Sequence, residues 1–462
     1  MQNFLSYLII FWLLLTACLV MYSWKRKTEN VGAALSFVAF LSVIHLLQAL
    51  VYTLPEYRVY FDKEIVTTGF AQATIALFSF TFGVLIISPL LKSAYTKFNV
   101  KRPKLLRTTH NPILDRQISF IYIAIGLLSY FIFSTLLSTI PTGQALGNAL
   151  IKFLHIGIII YFAQDDQSRN PIVTIILFAL FLIWPVISVV RDGFLGFGLV
   201  PTLMVGIFFG LRSQHLGRII FAAVVSSYLM ITILTVYFTS RNDLRSIVWG
   251  GNVITSPLED AYNTFARNFR WFELGNGAQL SWIEDRFPYN YFTGITMQRI
   301  DSGLVDAAGG RTIESAVLSV IPRLFWPDKP IVVGGSVLFQ YFTGIPIAPG
   351  TTVGLSPVLE LYANYKSPGV IMGFLILGTI FGRLDAGAAN ALSRKNYMGF
   401  AVWFAPVFGL ILVQDDLLTL VGTTVSSWMT VIIINIIIRT YFRAAPSPTL
   451  LPSVGQASHE LT

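Results

Sequence analysis

The stretch FLSYLIIFWLLLTACLVMYSWKRK, residues 4–27, decides how the chain is read. It carries no charge until Lys25-Arg26-Lys27. About 20 mostly apolar residues are enough to cross the hydrocarbon core of a bilayer, and flanking bases stay on the cytoplasmic side. No base precedes the run, so it is expected to be a retained anchor with its N-terminus outside rather than a cleaved leader.

The same pattern recurs along the chain. Apolar runs fall at 4–24, 31–53, 68–91, 117–140, 146–163, 171–190, 194–211, 218–238, 368–384, 397–414 and 417–438. Of the 462 residues, 54% are hydrophobic and 12% charged. That charged fraction is about half of what a soluble domain carries, which excludes a soluble or disordered chain. The expected fold is an all-α polytopic integral membrane protein of about 11 transmembrane helices, with one large extracytoplasmic segment that contains short amphipathic helices. Its parts are an N-terminal bundle of about eight spans (1–238), the large segment (239–367), three C-terminal spans (368–443) and a cytoplasmic tail (444–462) expected to be disordered. The one cysteine, Cys18, lies inside the first run, and the five histidines are scattered. No disulfide or Cys-based metal site is available from them.

The net charge of +9 sits where topology needs it. With an outside N-terminus, the cytoplasmic segments 25–30, 92–116, 164–170, 212–217, 385–396 and the tail, counted with Arg218 and Arg383, hold 18 Lys/Arg. The short outer connections hold Arg58, Lys63 and Arg191, with Lys152 near an outer helix end. This asymmetry is the positive-inside pattern, so the positive charge does not call for nucleic acid. The loop KSAYTKFNVKRPKLLRTTHNPILDR (92–116) is read first as a topology determinant and second as a contact for anionic lipid head groups.

The segment 239–367 is too long for a connector, and loops of that size carry function. Eight of its ten bases are arginine, whose planar fork suits phosphate oxygens. Ser256-Pro257-Leu258-Glu259 reads as a capping box. Leu258, Tyr262, Phe265, Phe269 and Phe272 then mark one helix face, with Asn263, Arg267 and Arg270 on another. The stretch Trp282–Phe292 is rich in aromatic and amide groups, which suits sugar rings as well as interfacial anchoring. Thr312–Ile321 reads as a short helix ended by Pro322. Three prolines in Pro322-Arg323-Leu324-Phe325-Trp326-Pro327-Asp328-Lys329-Pro330 then force a rigid loop. Glu360, in an apolar context ahead of the ninth span, is either a hydrogen-bonded structural group or a proton-transfer group. Asp415-Asp416 falls at the outer end of a span, where two carboxylates stay wet.

At these residues the chain resembles the Wzy-type polymerases of bacterial O-antigen and exopolysaccharide. The motif Ile321-Pro322-Arg323-x-x-Trp326-Pro327-x-Lys329-Pro330 is similar to their outer loop. So are the run from Ser356-Pro357 through Glu360 to Gly369, the Arg191 of Val190-Arg191-Asp192-Gly193 at a span end, and Arg241 just past the span that enters the large segment. The resemblance implies a multi-pass protein of the bacterial inner membrane. Its reaction would transfer an oligosaccharide from undecaprenyl diphosphate to a lipid-linked repeat unit on the outer face. A flippase and a chain-length regulator of the same pathway are implied partners. A diphosphate leaving group at head-group depth needs cations, and the acceptor hydroxyl needs a base. The diphosphate-clamp candidates are Arg191, Arg241, Arg267, Arg270 and Arg323, with Arg245, Arg286, Arg299 and Arg311 expected to matter less. Glu360 is the candidate base, with Glu273 and Asp285 as alternatives. Trp282 and Trp326 are the candidate sugar platforms. Arginines neutralise a diphosphate without a metal, so no cofactor is called for.

Other readings of the same chain are an O-antigen ligase, a polyprenyl-phosphate-sugar glycosyltransferase and a polysaccharide transporter or flippase. No histidine lies between His215 and His459, which counts against the ligase. The acidic pair of Asp62-Lys63-Glu64 is all that favours the metal-dependent transferase, and no internal repeat favours transport.

Overall fold

The computed structural model describes residues 2–55, 57–91, 112–133, 136, 143–164, 169–249, 257–321, 326, 334–348, 351 and 353–444. All regular structure among them is helical. Eight helices are long and apolar enough to cross a membrane, which makes this a multi-pass membrane protein. They are α1 (Gln2–Lys25), α2 (Ala33–Val51), α3 (Lys63–Phe82, continued through a π turn at Gly83–Ile87), α5 (Gly143–Ala163), α6 (Pro171–Asp192), α8 (Leu216–Trp249), α14 (Pro357–Ser393) and α17 (Leu417–Ala444). The remaining apolar runs of the sequence form shorter helices. These are α4 (Pro112–Leu128), α7 (Gly196–Leu211) and the pair α15 (Tyr397–Phe404) and α16 (Val407–Leu410). The long segment contributes α9 (Pro257–Asn268), α10 (Gly277–Arg286), α11 (Tyr289–Asp301), α12 (Arg311–Ser319) and α13 (Gly335–Thr343).

Polar contacts sort the helix ends into two groups. At one, the basic end, the Trp24 indole donates to the Ser213 carbonyl at 3.3 Å. The Asp385 carboxylate there accepts the N–H groups of Val31, Ala33 and Ala34 at 3.2, 2.8 and 2.9 Å. Those are orphan donors at the start of α2, whose N-cap is a glycine without a side chain to offer. At the opposite, loop end lie the turns 52–62 and 192–195, helices α9–α13 and the turn 411–416.

The long segment is not a separate lobe. Helix α11 lies in the bundle between α2, α3 and α14, with Asn290, Thr293 and Thr296 fully buried. The seam is made of small residues. A Cβ on Gly69 would strike the Asn290 carbonyl, and one on Gly294 would strike the Ile65 carbonyl. Helices pack this closely in lipid because dispersion and hydrogen bonding, not water exclusion, hold them together. His45 Nδ1 pairs with Asn290 Oδ1 at 2.7 Å, Asn290 Nδ2 donates to the His45 carbonyl at 2.7 Å, and Gln48 accepts the Asn290 N–H at 3.2 Å.

Helix α14 breaks once, at Tyr365 and Lys366, where backbone angles leave the helical region. Pro368 is the cause, since it brings no N–H and its ring disfavours helix at the preceding residue. The Ala363 carbonyl, freed by the break, accepts the Ala308 N–H at 2.7 Å, and Asn364 Oδ1 accepts the Gly310 N–H at 2.9 Å. The kink thus ties down the turn between α11 and α12.

Helix α8 departs furthest from expectation. The sequence run ends at 238, but the helix continues to Trp249. Its 34 residues measure about 51 Å at 1.5 Å per residue. Residues 220–227 are exposed on every face, and Tyr228 donates to the Phe272 carbonyl at 3.2 Å. The upper part packs on its own apolar cluster, in which Leu234, Tyr237, Phe238 and Leu244 meet Val189 and Leu195 from α6 and α7 and Ala261 from α9.

Candidate functional site

Arg218 and Arg241 are 23 residues apart on α8, about 35 Å along its axis. Two guanidinium groups at that separation bracket a hydrocarbon core of about 30 Å. Arg241 lies toward the loop end of α8, with Arg245 one turn beyond on the same face. Arg286 ends α10 and comes close enough to Arg241, as Arg245 does, to repel it. The Arg241 side chain hydrogen-bonds Tyr237, and no acid is among the groups that act on it. Arg245 lies 4.6 Å over the Phe194 ring and Arg286 5.7 Å over Phe238. Three cations thus crowd the edge of the apolar cluster under α8. Like charges held this way oppose one another, and an anion between them reverses the sign.

Beside this cluster lies an unpartnered polar corner. Pro288 separates α10 from α11, so Arg286 and Tyr289 stand at a helix end and a helix start. Arg286 and Asp415 both act electrostatically on the Tyr289 hydroxyl. Burial pushes that phenol up to about 12, so it remains a donor. Asp415 is half-buried in the turn 411–416. Burial and the neighbouring Asp416 push its carboxyl up to about 7. Among the described residues, neither the Arg286 guanidinium, the Tyr289 hydroxyl nor the Asp415 carboxylate has a hydrogen-bond or ion-pair partner. Convergent polar groups without partners are what a ligand site offers.

The buried acids near this corner are occupied. Asp416 Oδ1 accepts the Thr419 N–H at 2.7 Å and caps α17. Glu360 is 1% exposed, and its Oε2 accepts the Leu417 N–H at 2.6 Å. Glu284 is fully buried and accepts from the Tyr52 and Tyr57 hydroxyls and the N–H groups of Tyr60 and Phe61. Burial and the carboxylate hold both phenols well above their ordinary range, so they stay donors.

The residues singled out in the sequence are dispersed. Arg191 stacks on the Tyr130 ring at 4.0 Å, and the nearby Gly193 carbonyl accepts the Tyr237 hydroxyl at 2.7 Å. Arg267 donates to the Asn263 carbonyl at 3.2 Å and helps line a cavity of about 700 Å³ with Ile247, Asp260, Asn263, Thr264 and Ala266. Arg270 does not share that helix face, because α9 ends at Asn268. The N–H groups that would extend the helix go elsewhere, from Phe272 to Thr232 Oγ1 at 3.3 Å and from Glu273 to Gln279 Oε1 at 2.8 Å. Of the aromatics that spacing puts on one helix face, Tyr262 and Phe269 are exposed, whereas Phe265 packs together with Ala261. Trp282 is exposed on α10, and Trp326 is half-buried. Glu273 and Asp285 are both exposed. Asp62 is the N-cap of α3, accepting from Glu64 and Ile65 at 2.8 and 3.1 Å. Arg323 and most of its proline-rich loop lie outside the described residues, as do the basic loop through residue 111 and the tail from 445.

Sequence reasoning ranks Arg245 and Arg286 low and leaves Tyr289 and Asp415 without a role. The i, i+4 spacing of Arg241 and Arg245 is a signal for the first, once α8 is carried past its apolar run. Nothing local marks Asp415, which packing alone brings to α11. No protein-family profile, curated protein or solved structure matches this chain.

Proposed function

We propose that this protein polymerises oligosaccharide repeat units carried on a polyprenyl diphosphate, at the outer face of a bacterial inner membrane, with its loop end outside. The observation that carries the reading is the gathering of Arg241, Arg245 and Arg286 at the loop end, within electrostatic reach of an unpartnered phenol that also feels the Asp415 carboxylate. A diphosphate that leaves an anomeric carbon gains charge, and fixed cations at that point lower the barrier. The exposed lower half of α8 leaves an apolar flank along which a polyprenyl tail can lie with its diphosphate at Arg241. The resemblance in the 321–330 and 356–369 motifs points to the same chemistry, and the 18 bases on the other side give the orientation.

The test is reconstitution of the full chain in lipid nanodiscs with a polyprenyl-diphosphate-linked oligosaccharide. A ladder of lengthened products with release of free polyprenyl diphosphate is the expected result. Intact substrate in the presence of folded protein overturns the reading.

A further inference from the structure

Resting on the polymerase reading, we propose that Asp415 is the general base that takes the proton from the acceptor hydroxyl, with the Tyr289 hydroxyl beside it as a hydrogen-bond donor to the sugars. Three carboxylates at the loop end are buried, Glu284, Glu360 and Asp416, and Asp415 is half-buried beside them. Each of the three buried ones accepts from protein donors, Glu284 from several and Glu360 and Asp416 from a backbone N–H. A carboxylate that accepts several N–H or O–H groups is stabilised as the anion and is a poor base. Asp415 accepts none among the described residues and retains access to solvent.

Its position is held by backbone. A Cβ on Gly354 would come within 2.7 Å of the Asp415 Cα, and one on Gly335 would strike the Asp416 carboxylate. Two glycine-bearing segments therefore pack closely on the turn, and Tyr289 of α11 lies within reach of the Asp415 charge. Among the described residues, the charged and titratable groups around Asp415 are Asp416 on its own turn, Glu360 near Asp416 from α14, and Tyr289, on which Arg286 also acts. Asp416 raises the proton affinity of Asp415, and burial does so more strongly. A base with a pKa near the working pH combines a populated ionised form with a strong pull on the proton.

In the step, the acceptor O–H bond breaks and its proton moves to an Asp415 oxygen. The freed oxygen pair forms the bond to the anomeric carbon of the donor sugar. The anomeric C–O bond to the diphosphate breaks, and its electron pair leaves on the polyprenyl diphosphate, next to Arg241, Arg245 and Arg286. The proton on Asp415 then passes to water.

The experiment compares wild type, Asp415→Asn, Asp415→Glu and Glu360→Gln in nanodiscs. It reads kcat and KM for polymerisation across pH, and the Kd for the polyprenyl-diphosphate-linked oligosaccharide. Wild-type kcat is expected to rise with pH and level off above the titration of Asp415, near 7. Asp415→Asn should lower kcat by about 10²-fold or more and flatten that rise, with Kd unchanged. Asp415→Glu should recover part of the rate with the rising limb displaced. Retention of the wild-type rate and limb in Asp415→Asn overturns the assignment. So does loss of the limb in Glu360→Gln alone, which makes Glu360 the base. A wild-type chain that binds the substrate but never lengthens it sinks both the base and the polymerase reading, whereas an active Asp415→Asn sinks only the base.

Discussion

Glu284 and Asp415 are carboxylates at the same end of the bundle, one buried and one half-buried, and their surroundings are opposite. Glu284 is wrapped by two phenols and two backbone N–H groups, which tie the turn after α2 to α10. Asp415 has a like charge beside it and no donor among the described residues. A buried carboxylate with every lone pair used holds a fold together. One with none used costs stability and is kept for something else.

The contrast is broken most severely at Glu284. Glu284→Ala leaves two hydroxyls and two N–H groups without their acceptor. Breaking such a buried charged group costs about 3–5 kcal/mol. The expected outcome is loss of monodisperse protein in detergent chromatography, with the turn 52–62 opened to hydrogen exchange. Normal yield and protection would remove Glu284 from the framework.

At the arginine cluster the effect falls on activity rather than on folding. Arg241→Ala and Arg286→Ala should each lower polymerisation by about 10²–10³-fold at unchanged membrane expression. Lysine should restore little, because a point charge does not reproduce a bidentate fork. Arg270, whose guanidinium only reaches the Phe269 carbonyl at 2.7 Å, should tolerate alanine. Equal losses at all three positions, read as polymer length on gels, would erase the distinction between cluster and periphery.

Asp415 itself should show the opposite sign in stability. The folded carboxyl is raised to about 7 from an unfolded value of 3.8, so the native state binds its proton more tightly. Stability from this group therefore falls as pH rises from about 4 to about 7 and is flat above. Asp415→Asn removes the penalty and should gain about 1–2 kcal/mol at pH 8 and little at pH 4, discounted for its partial contact with water. Thermal unfolding at the two pH values measures it, and a variant less stable than wild type at pH 8 contradicts the account. The smallest effect belongs to the Lys366–Asp301 pair, 2.8 Å apart and about half exposed on both sides. Lys366→Ala should cost less than about 1 kcal/mol, and less still in high salt.

The positions of the membrane helices were legible in the sequence because a bilayer imposes one demand, some twenty apolar residues, that composition alone can meet. Helices at 257–268 and 311–319 were legible for a similar reason, through capping and apolar spacing. The end of α9 was not, because the groups that stop it, Thr232 and Gln279, come from other helices. Nor was the burial of α11, whose aromatic and amide composition suits a water boundary equally well. Gly69 and Gly294 admit it to the bundle, and each means something only opposite the other. An arginine-rich segment at the loop end was written in the residues themselves. Which arginines converge, and which carboxylate is left without a donor, depends on side chains that α8, α10, α11 and the 411–416 turn bring together from up to 174 positions apart in the chain, Arg241 to Asp415. Hydrogen bonds are saturable and short-ranged, so only the packed structure decides which carboxylate receives them and which does not.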